Sequence, residues 1–173
     1  MLARFTFVLV ALFLSVGAGV AQAEPIRATL AGWQEVPVVS TVATGELNGT
    51  IAADDLSIDF ELTYSGLQGV VTQAHIHVAQ RSVNGSIVIW LCQSATNPGP
   101  VGTPTCTPGS GTFTGTITSA NVIAGSTTSQ QLTAGDLAEV IRAIRARAAY
   151  VNVHTDLSTS GEIRGQIRPT PGN

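Results

Sequence analysis

The chain reads as a mainly β protein, a Greek-key β-sandwich or barrel of about eight strands with one packed helix. Three observations predict this class. Leu56, Ile58, Phe60, Leu62 and Tyr64 alternate with Ser57, Asp59, Glu61 and Thr63, the period-two pattern of a half-buried strand. Short runs of this kind recur along the chain between turn residues such as Asp54-Asp55, Gly66 to Gly69 and Asn84-Gly85. Only one stretch, Leu132 to Arg147, carries a helical period, with Leu137, Val140, Ile141 and Ile144 on one stripe.

Residues 1–23 read as a secretory signal peptide. Arg4 gives the positive start, Phe5 to Val20 the apolar stretch, and Ala21-Gln22-Ala23 a small-x-small cleavage site. The apolar stretch is shorter than the ~20 residues of a membrane span. An uncleaved anchor is the alternative. Cleavage near Ala23 leaves a single domain over 24–168 and a short tail, 169–173, expected to fray. No second hydrophobic segment follows, so the mature form is not expected to span a membrane. The expected location is secreted or periplasmic.

Ile26 to Trp33 reads as the first strand. Gln34 to Thr44 contains Pro37 and little periodicity, which predicts a connection. Thr44 to Ala53 and Leu56 to Tyr64 read as a strand pair, and Val71 to Val78 as the next strand. The unbroken apolar run Ile87-Val88-Ile89-Trp90-Leu91 suits a central strand covered on both faces. A Pro/Gly-rich loop follows, then the threonine-rich strand Gly111 to Thr118 and a polar loop from Asn121 to Gln131. Thr133 is the expected N-cap of the helix, with Asp136 three residues on as in a capping box. Ala148 to His154 and Glu162 to Arg168 read as a closing hairpin.

The chain has eight basic residues, all arginine, and eleven acidic ones. Removal of the signal takes Arg4 and leaves a charge of about −4. So few cations exclude nucleic acid as a partner, because phosphate neutralisation needs them clustered. The one cluster, Arg142, Arg145 and Arg147, lies in the last helical turns, where cations favour the dipole. It reads as a solvated face, with an anion-binding patch as the alternative. Cys92 and Cys106 are the only cysteines, and in an oxidising compartment they are expected to form a disulfide. A thiolate metal site is the alternative, but the spacing does not fit a Cys-x-x-Cys knuckle.

The three histidines carry the chemistry. His75 and His77 are two apart on one expected strand and His154 ends another. By parity Thr72, Ala74, Ile76 and Val78 take the core face, leaving His75 and His77 on the other. His154 shares its face with Asn152 and Tyr150. Three imidazoles so placed suit a transition-metal site, Cu or Zn, with copper expected first in a periplasm. The alternative is the ordinary polarity of a half-exposed strand. If the last two strands pair as a hairpin, Glu162 faces His154 and Arg164 faces Asn152. Glu162 could then accept the second ring N–H of His154 and fix its tautomer; the reading preferred is structural cross-strand hydrogen bonding and ion pairing by Glu162 and Arg164.

Other enzyme templates are missing. No Gly-x-Ser-x-Gly elbow occurs. Asp54 and Asp55 read as turn formers, and no Gly-rich phosphate loop precedes the helix. Asn48-Gly49-Thr50 and Asn84-Gly85-Ser86 are glycosylation sequons, meaningful only in a eukaryotic secretory pathway.

Several blocks resemble one family. They are Glu35-Val36-Pro37 with Thr44-Gly45; Gly66-Leu67; Ala74-His75-Ile76-His77 and then Gly85; Leu132-Thr133-Ala134; Tyr150-Val151-Asn152-Val153-His154-Thr155; and Gly161-Glu162-Ile163-Arg164-Gly165-Gln166-Ile167. In this order they resemble the CHRD domain, named after chordin and common in secreted bacterial proteins. The resemblance implies an extracytoplasmic β-sandwich and brings no defined activity. The ligand pattern alone is similar to Cu/Zn superoxide dismutase, but the further histidines of a bridged copper–zinc pair are absent. The expected function is a secreted binding protein holding one Cu or Zn ion through His75, His77 and His154. The alternatives are a non-catalytic envelope module that binds an envelope or extracellular protein, and a mononuclear copper or zinc enzyme, including carbonic-anhydrase-like use of a zinc hydroxide.

Overall fold

A computed structural model describes residues 22–171. The signal-peptide reading of 1–23 therefore falls almost wholly outside the described residues. Nine strands form one antiparallel sheet curled into a half-barrel, with a single α-helix. The strands are β1 (Glu24–Ala31), β2 (Thr44–Ile51), β3 (Ile58–Ser65), β4 (Val71–Val78), β5 (Ser86–Cys92), β6 (Gly111–Ile117), β7 (Ala149–Thr155), β8 (Ile163–Gln166) and the two-residue β9 (Arg168–Pro169). The helix α1 spans Leu137–Arg145. Strand order is β5-β4-β7-β8-β1-β2-β3-β6, with β9 beside β1.

The alternation read in β3 is real. Ile58, Phe60, Leu62 and Tyr64 are buried, while Asp59 and Glu61 are exposed. Leu56 is the exception at 69% exposed. It belongs to the Asp54 turn, where the Asp54 carboxylate accepts its backbone N–H. Asp55 holds a left-handed φ of 59° and pairs with Arg145, so both aspartates serve the turn. Ile26, Ala28 and Leu30 of β1, Ala74 and Ile76 of β4, and Val151 and Val153 of β7 join them in one core.

The helix closes that core. Leu137, Val140, Ile141 and Ile144 are all buried, each worth about 1.5–3 kcal/mol of gross burial. It begins later than the sequence predicts, because Gly135 takes φ +82° and interrupts the run. The N-cap is Asp136, not Thr133: its carboxylate accepts the Glu139 N–H at 2.9 Å. Arg142 pairs with Glu139, and Arg145 with Glu24 and Asp55. Both helix arginines are therefore engaged in ion pairs, while Arg147, expected in the last helical turn, lies beyond the end of α1.

Strand β5 is an edge strand, not a central one. Its apolar run is nonetheless covered. Segment 119–131 lies along the free edge through an Ile89–Val122 bridge and an Ile123 N–H to Val88 carbonyl bond of 2.9 Å. Apolar composition reported cover, and a loop supplies it. At the C-terminus, Pro169 pairs with Ile26 and the Thr170 N–H bonds the Pro25 carbonyl, so the expected fraying does not begin at residue 169.

Cys92 and Cys106 stand at disulfide distance, 14 residues apart in sequence. Gln93 stitches the enclosed loop, its side chain reaching the Thr103 carbonyl and the Gly99 N–H. Closing a loop of this size removes about 3 kcal/mol of unfolded-state entropy. Cys92→Ser with Cys106→Ser is expected to lose about that much in urea unfolding. An unchanged midpoint would show that the pair contributes no constraint.

Candidate metal centre

Strands β4 and β7 are neighbours, and their register sets His75 opposite Asn152 and His77 opposite Tyr150. Gln73 faces His154. The sequence expectation of strand pairing is met, and the three imidazoles converge. One ligand nitrogen from each of His75, His77 and His154 lies within 4.8 Å of the others.

Their burial departs from the half-exposed face expected. His75 is 0% exposed, His154 6% and His77 7%. Parity correctly puts them opposite Ala74 and Ile76, but this second face is roofed. Segments 32–43 and 79–85 fold over it, tied by Thr41 to Glu162, Asn84 to the Val36 carbonyl and Arg164 to the Val83 carbonyl. Both faces of β4 are therefore covered from Ala74 to His77.

Hydrogen bonds fix the tautomers. His77 Nδ1 lies 2.9 Å from the Gly85 carbonyl, and His154 Nδ1 lies 2.9 Å from the Thr159 carbonyl. A carbonyl only accepts, so both Nδ1 atoms carry the proton and both Nε2 atoms present bare lone pairs. His154 Nε2 lies 3.3 Å from His75 Nδ1, which must then donate, leaving His75 Nε2 bare as well. Among the described residues, four buried side-chain polar atoms lack a hydrogen-bond partner: Glu35 Oε1, His75 Nε2, His77 Nε2 and Asn152 Oδ1. All four belong to this neighbourhood.

Aromatic rings hold the imidazoles in place. Trp90 meets His75 edge-on at 4.2 Å, and Tyr150 stacks on His77 at 4.5 Å and 5°. The Arg164 guanidinium lies 3.4 Å over the Tyr150 ring. Arg164 also donates to Asn84 Oδ1 and the Val83 carbonyl. It sits opposite Asn152 in the β7–β8 register, as the hairpin reading required.

Glu162 does not take the His154 ring proton. The Thr159 carbonyl occupies that position, and the Glu162 carboxylate instead accepts from Thr41, Gln68 N–H, Gly69 N–H and Thr155. Four donors from three segments outcompete one ring N–H. Glu162 holds loops around the site rather than a ligand.

Glu35 enters the site from the connection after β1. Burial pushes its carboxyl up to about 7, against the Arg164 charge, the Val36 N–H and the Asn152 amide, which each lower it. Gly161 makes room for it. Its φ is +120°, and a Cβ there would collide with Glu35 Oε1. The sequence flagged Glu35 only within the Glu-Val-Pro block, and gave no sign that Gly85 and Thr159 supply carbonyls.

The imidazoles are neutral at pH 7. Desolvation, then the charges of His154 and His77, push His75 down to about 2. Desolvation dominates at His77 too, lowering it to about 4, with the His154 and Arg164 charges adding to it. Burial lowers His154. In each case the unfolded chain binds a proton near 6.5 that the folded one refuses. The metal-free protein therefore loses stability as pH falls below about 6.5. Glu35 has the opposite sign: the folded carboxyl keeps its proton to about pH 7, the unfolded one releases it near 4.5, and stability falls as pH rises between them. Three imidazoles against one carboxyl give a net gain from pH 5 to 7. The chelated protein is expected to melt higher at pH 7 than at pH 5, and Glu35→Gln to widen the gap. A flat or reversed profile would contradict buried neutral imidazoles.

The geometry fits a metal ion. Two nitrogens on a tetrahedral ion at 2.0–2.1 Å stand about 3.4 Å apart. The three ligand nitrogens lie within 4.8 Å of one another, so no pair needs more than about 1.4 Å of closure, within side-chain reach. The fold and site thus define a curled β domain with a preformed cluster of three neutral imidazoles. The chain belongs to the CHRD domain family, whose model matches residues 26–167. No curated protein and no solved structure matches it.

Proposed function

We propose that this chain is an extracytoplasmic CHRD-domain protein that binds one transition metal ion, Cu or Zn, through His75, His77 and His154. One observation carries this reading. The buried polar atoms left without partners gather in one neighbourhood, and two of them are the imidazole lone pairs His75 Nε2 and His77 Nε2; backbone carbonyls already orient the His77 and His154 rings, and His154 Nε2 orients His75. Leaving such acceptors unpaired costs roughly 1–3 kcal/mol each, and a metal ion removes that cost. Carbonyl partners on the far nitrogens are the usual outer support of a metal-binding histidine.

Asn152 and Arg164 act as supporting residues here. Asn152 brings an unpartnered amide oxygen beside the cluster, and Arg164 braces Tyr150 and opposes protonation of His77. Location outside the cytoplasm is supported by the signal-like start of the sequence and by the cysteine pair. No helix among the described residues is long and apolar enough to cross a membrane.

The test is elemental analysis of untagged protein from its native compartment, followed by titration with Cu(II) and Zn(II). One equivalent of either ion, bound with a rise in melting temperature, supports the reading. A metal-free protein whose spectra and melting ignore both ions would leave the cluster as a structural polar layer.

A further inference from the structure

Seven arginines lie among the described residues, and four have their charges answered. Arg27 pairs with Glu46, Arg142 with Glu139, Arg145 with Glu24 and Asp55, and Arg164 lies over Tyr150. The remaining three, Arg81, Arg147 and Arg168, have no carboxylate partner among the described residues. All three line one cavity of about 450 Å³, with Thr29, Gln34 and Gln166 between them and no acidic residue in the wall. They come from three separate places: the β4–β5 turn, the α1–β7 junction and β9. In a chain with more acids than bases, like charges disperse unless something between them repays the repulsion.

The backbone adds a second, independent sign. After α1 the Ala148 N–H bonds the Ala143 carbonyl and the Arg147 N–H bonds the Ile144 carbonyl. This is a Schellman ending with Arg147 at the left-handed position, φ 58°, where glycine is the favoured residue. An arginine there is held against the local preference. Ser82, beside Arg81, is also left-handed at φ 62°. Gln166 then ties the two segments together, its amide donating to both the Ala79 and the Arg147 carbonyls. Gln34 is bonded to the Thr29 carbonyl. The wall is braced by amides, and every guanidinium is left free for a ligand.

We propose that this cavity binds a multiply charged tetrahedral oxyanion, a phosphate or sulfate group, through Arg81, Arg147 and Arg168. A guanidinium presents paired donors that match two oxygens of such a group. Three of them exceed what one carboxylate can use. The volume exceeds that of a bare ion and suits an ester on a small molecule such as a sugar. The site is separate from the imidazole cluster and does not depend on metal.

The test is calorimetric titration of the mature chain at low ionic strength. The probes are inorganic phosphate, inorganic sulfate, glucose 6-phosphate and glucose 6-sulfate, with acetate as the control. Saturable 1:1 binding of any of the four supports the site, and tighter binding of an ester over its free ion identifies the ester as the source. Arg168→Gln is expected to weaken binding at least about 10-fold. Arg147→Gly is the sharper variant. It relieves the left-handed position, so melting should rise while binding falls by a similar factor. Arg142→Gln, whose side chain is paired elsewhere, should bind as the parent does. Absence of saturable binding, equal competition by acetate, or equal loss in Arg142→Gln would overturn the proposal.

Discussion

His154→Ala is expected to cost the protein at least about 100-fold in affinity for copper or zinc, more than the 10–100-fold that changes beyond the ligands usually cost. The argument rests on geometry. His154 is the only histidine contributed by β7, and its Nε2 faces His75 across 3.3 Å. Its removal leaves two nitrogens from alternate positions of one strand, too few for a closed site. The metal-free variant is also expected to lose about 1–3 kcal/mol, because the Thr159 carbonyl and the His75 ring donor lose their partner. That second loss is not evidence for metal. The discriminating readout is the melting rise on adding ion. Saturating metal at about a thousand times Kd stabilises by about 4 kcal/mol. The parent should show such a rise and the variant none. An equal rise in both would remove His154 from the ligand set.

Glu162→Ala is expected to be the most destabilising single change away from the histidines, by about 3–5 kcal/mol. Glu162 is 1% exposed, and its carboxylate accepts from the Thr41 and Thr155 hydroxyls and the Gln68 and Gly69 N–H groups. Hydrogen bonds to a charged acceptor contribute about 1.5–3 kcal/mol each, and their donors become buried and unsatisfied when it goes. Glu162→Gln keeps the shape but converts one acceptor to a donor facing donors, so it should recover only part of the loss. Urea unfolding measures both. A loss below about 1 kcal/mol in Glu162→Ala would mean that water replaces the carboxylate and that the loops it gathers hold themselves.

Much of the fold was legible because it follows from side-chain period. Ile58 to Tyr64 and the Leu137–Ile144 stripe announce their faces directly. The histidine set was legible for the same reason, since parity puts His75 and His77 together whatever covers them. What covers them was not. Burial of that face depends on segments 32–43 and 79–85, which have no period and whose cover is tertiary. The same reason defeats the reading of β5, where apolar composition reports cover but cannot distinguish a strand from a loop as its source. The helix start moved because Gly135 interrupts a pattern that Thr133 and Asp136 otherwise satisfy. Of the two readings of Glu162, orientation of the His154 ring lost on competition and structural bonding remains: register brought it beside β7, and better donors than the His154 ring were already there. Glu35 stood out only as part of the Glu-Val-Pro block and not as a site residue, because a single glutamate in an aperiodic connection looks like any solvated acid.

The register of β4 against β7 also sets an order of events in time. His75 and His154 are 79 residues apart in the chain, and β7 is flanked in the sheet by β4 and β8. A chain emerging from its N-terminus holds His75 and His77 long before His154 exists, and the Thr159 carbonyl arrives later still. Contacts this distant form late, after the cost of closing the intervening loop is met. The three-nitrogen cluster is thus a property of the finished domain. Any ion it holds is acquired where folding ends, not where synthesis begins.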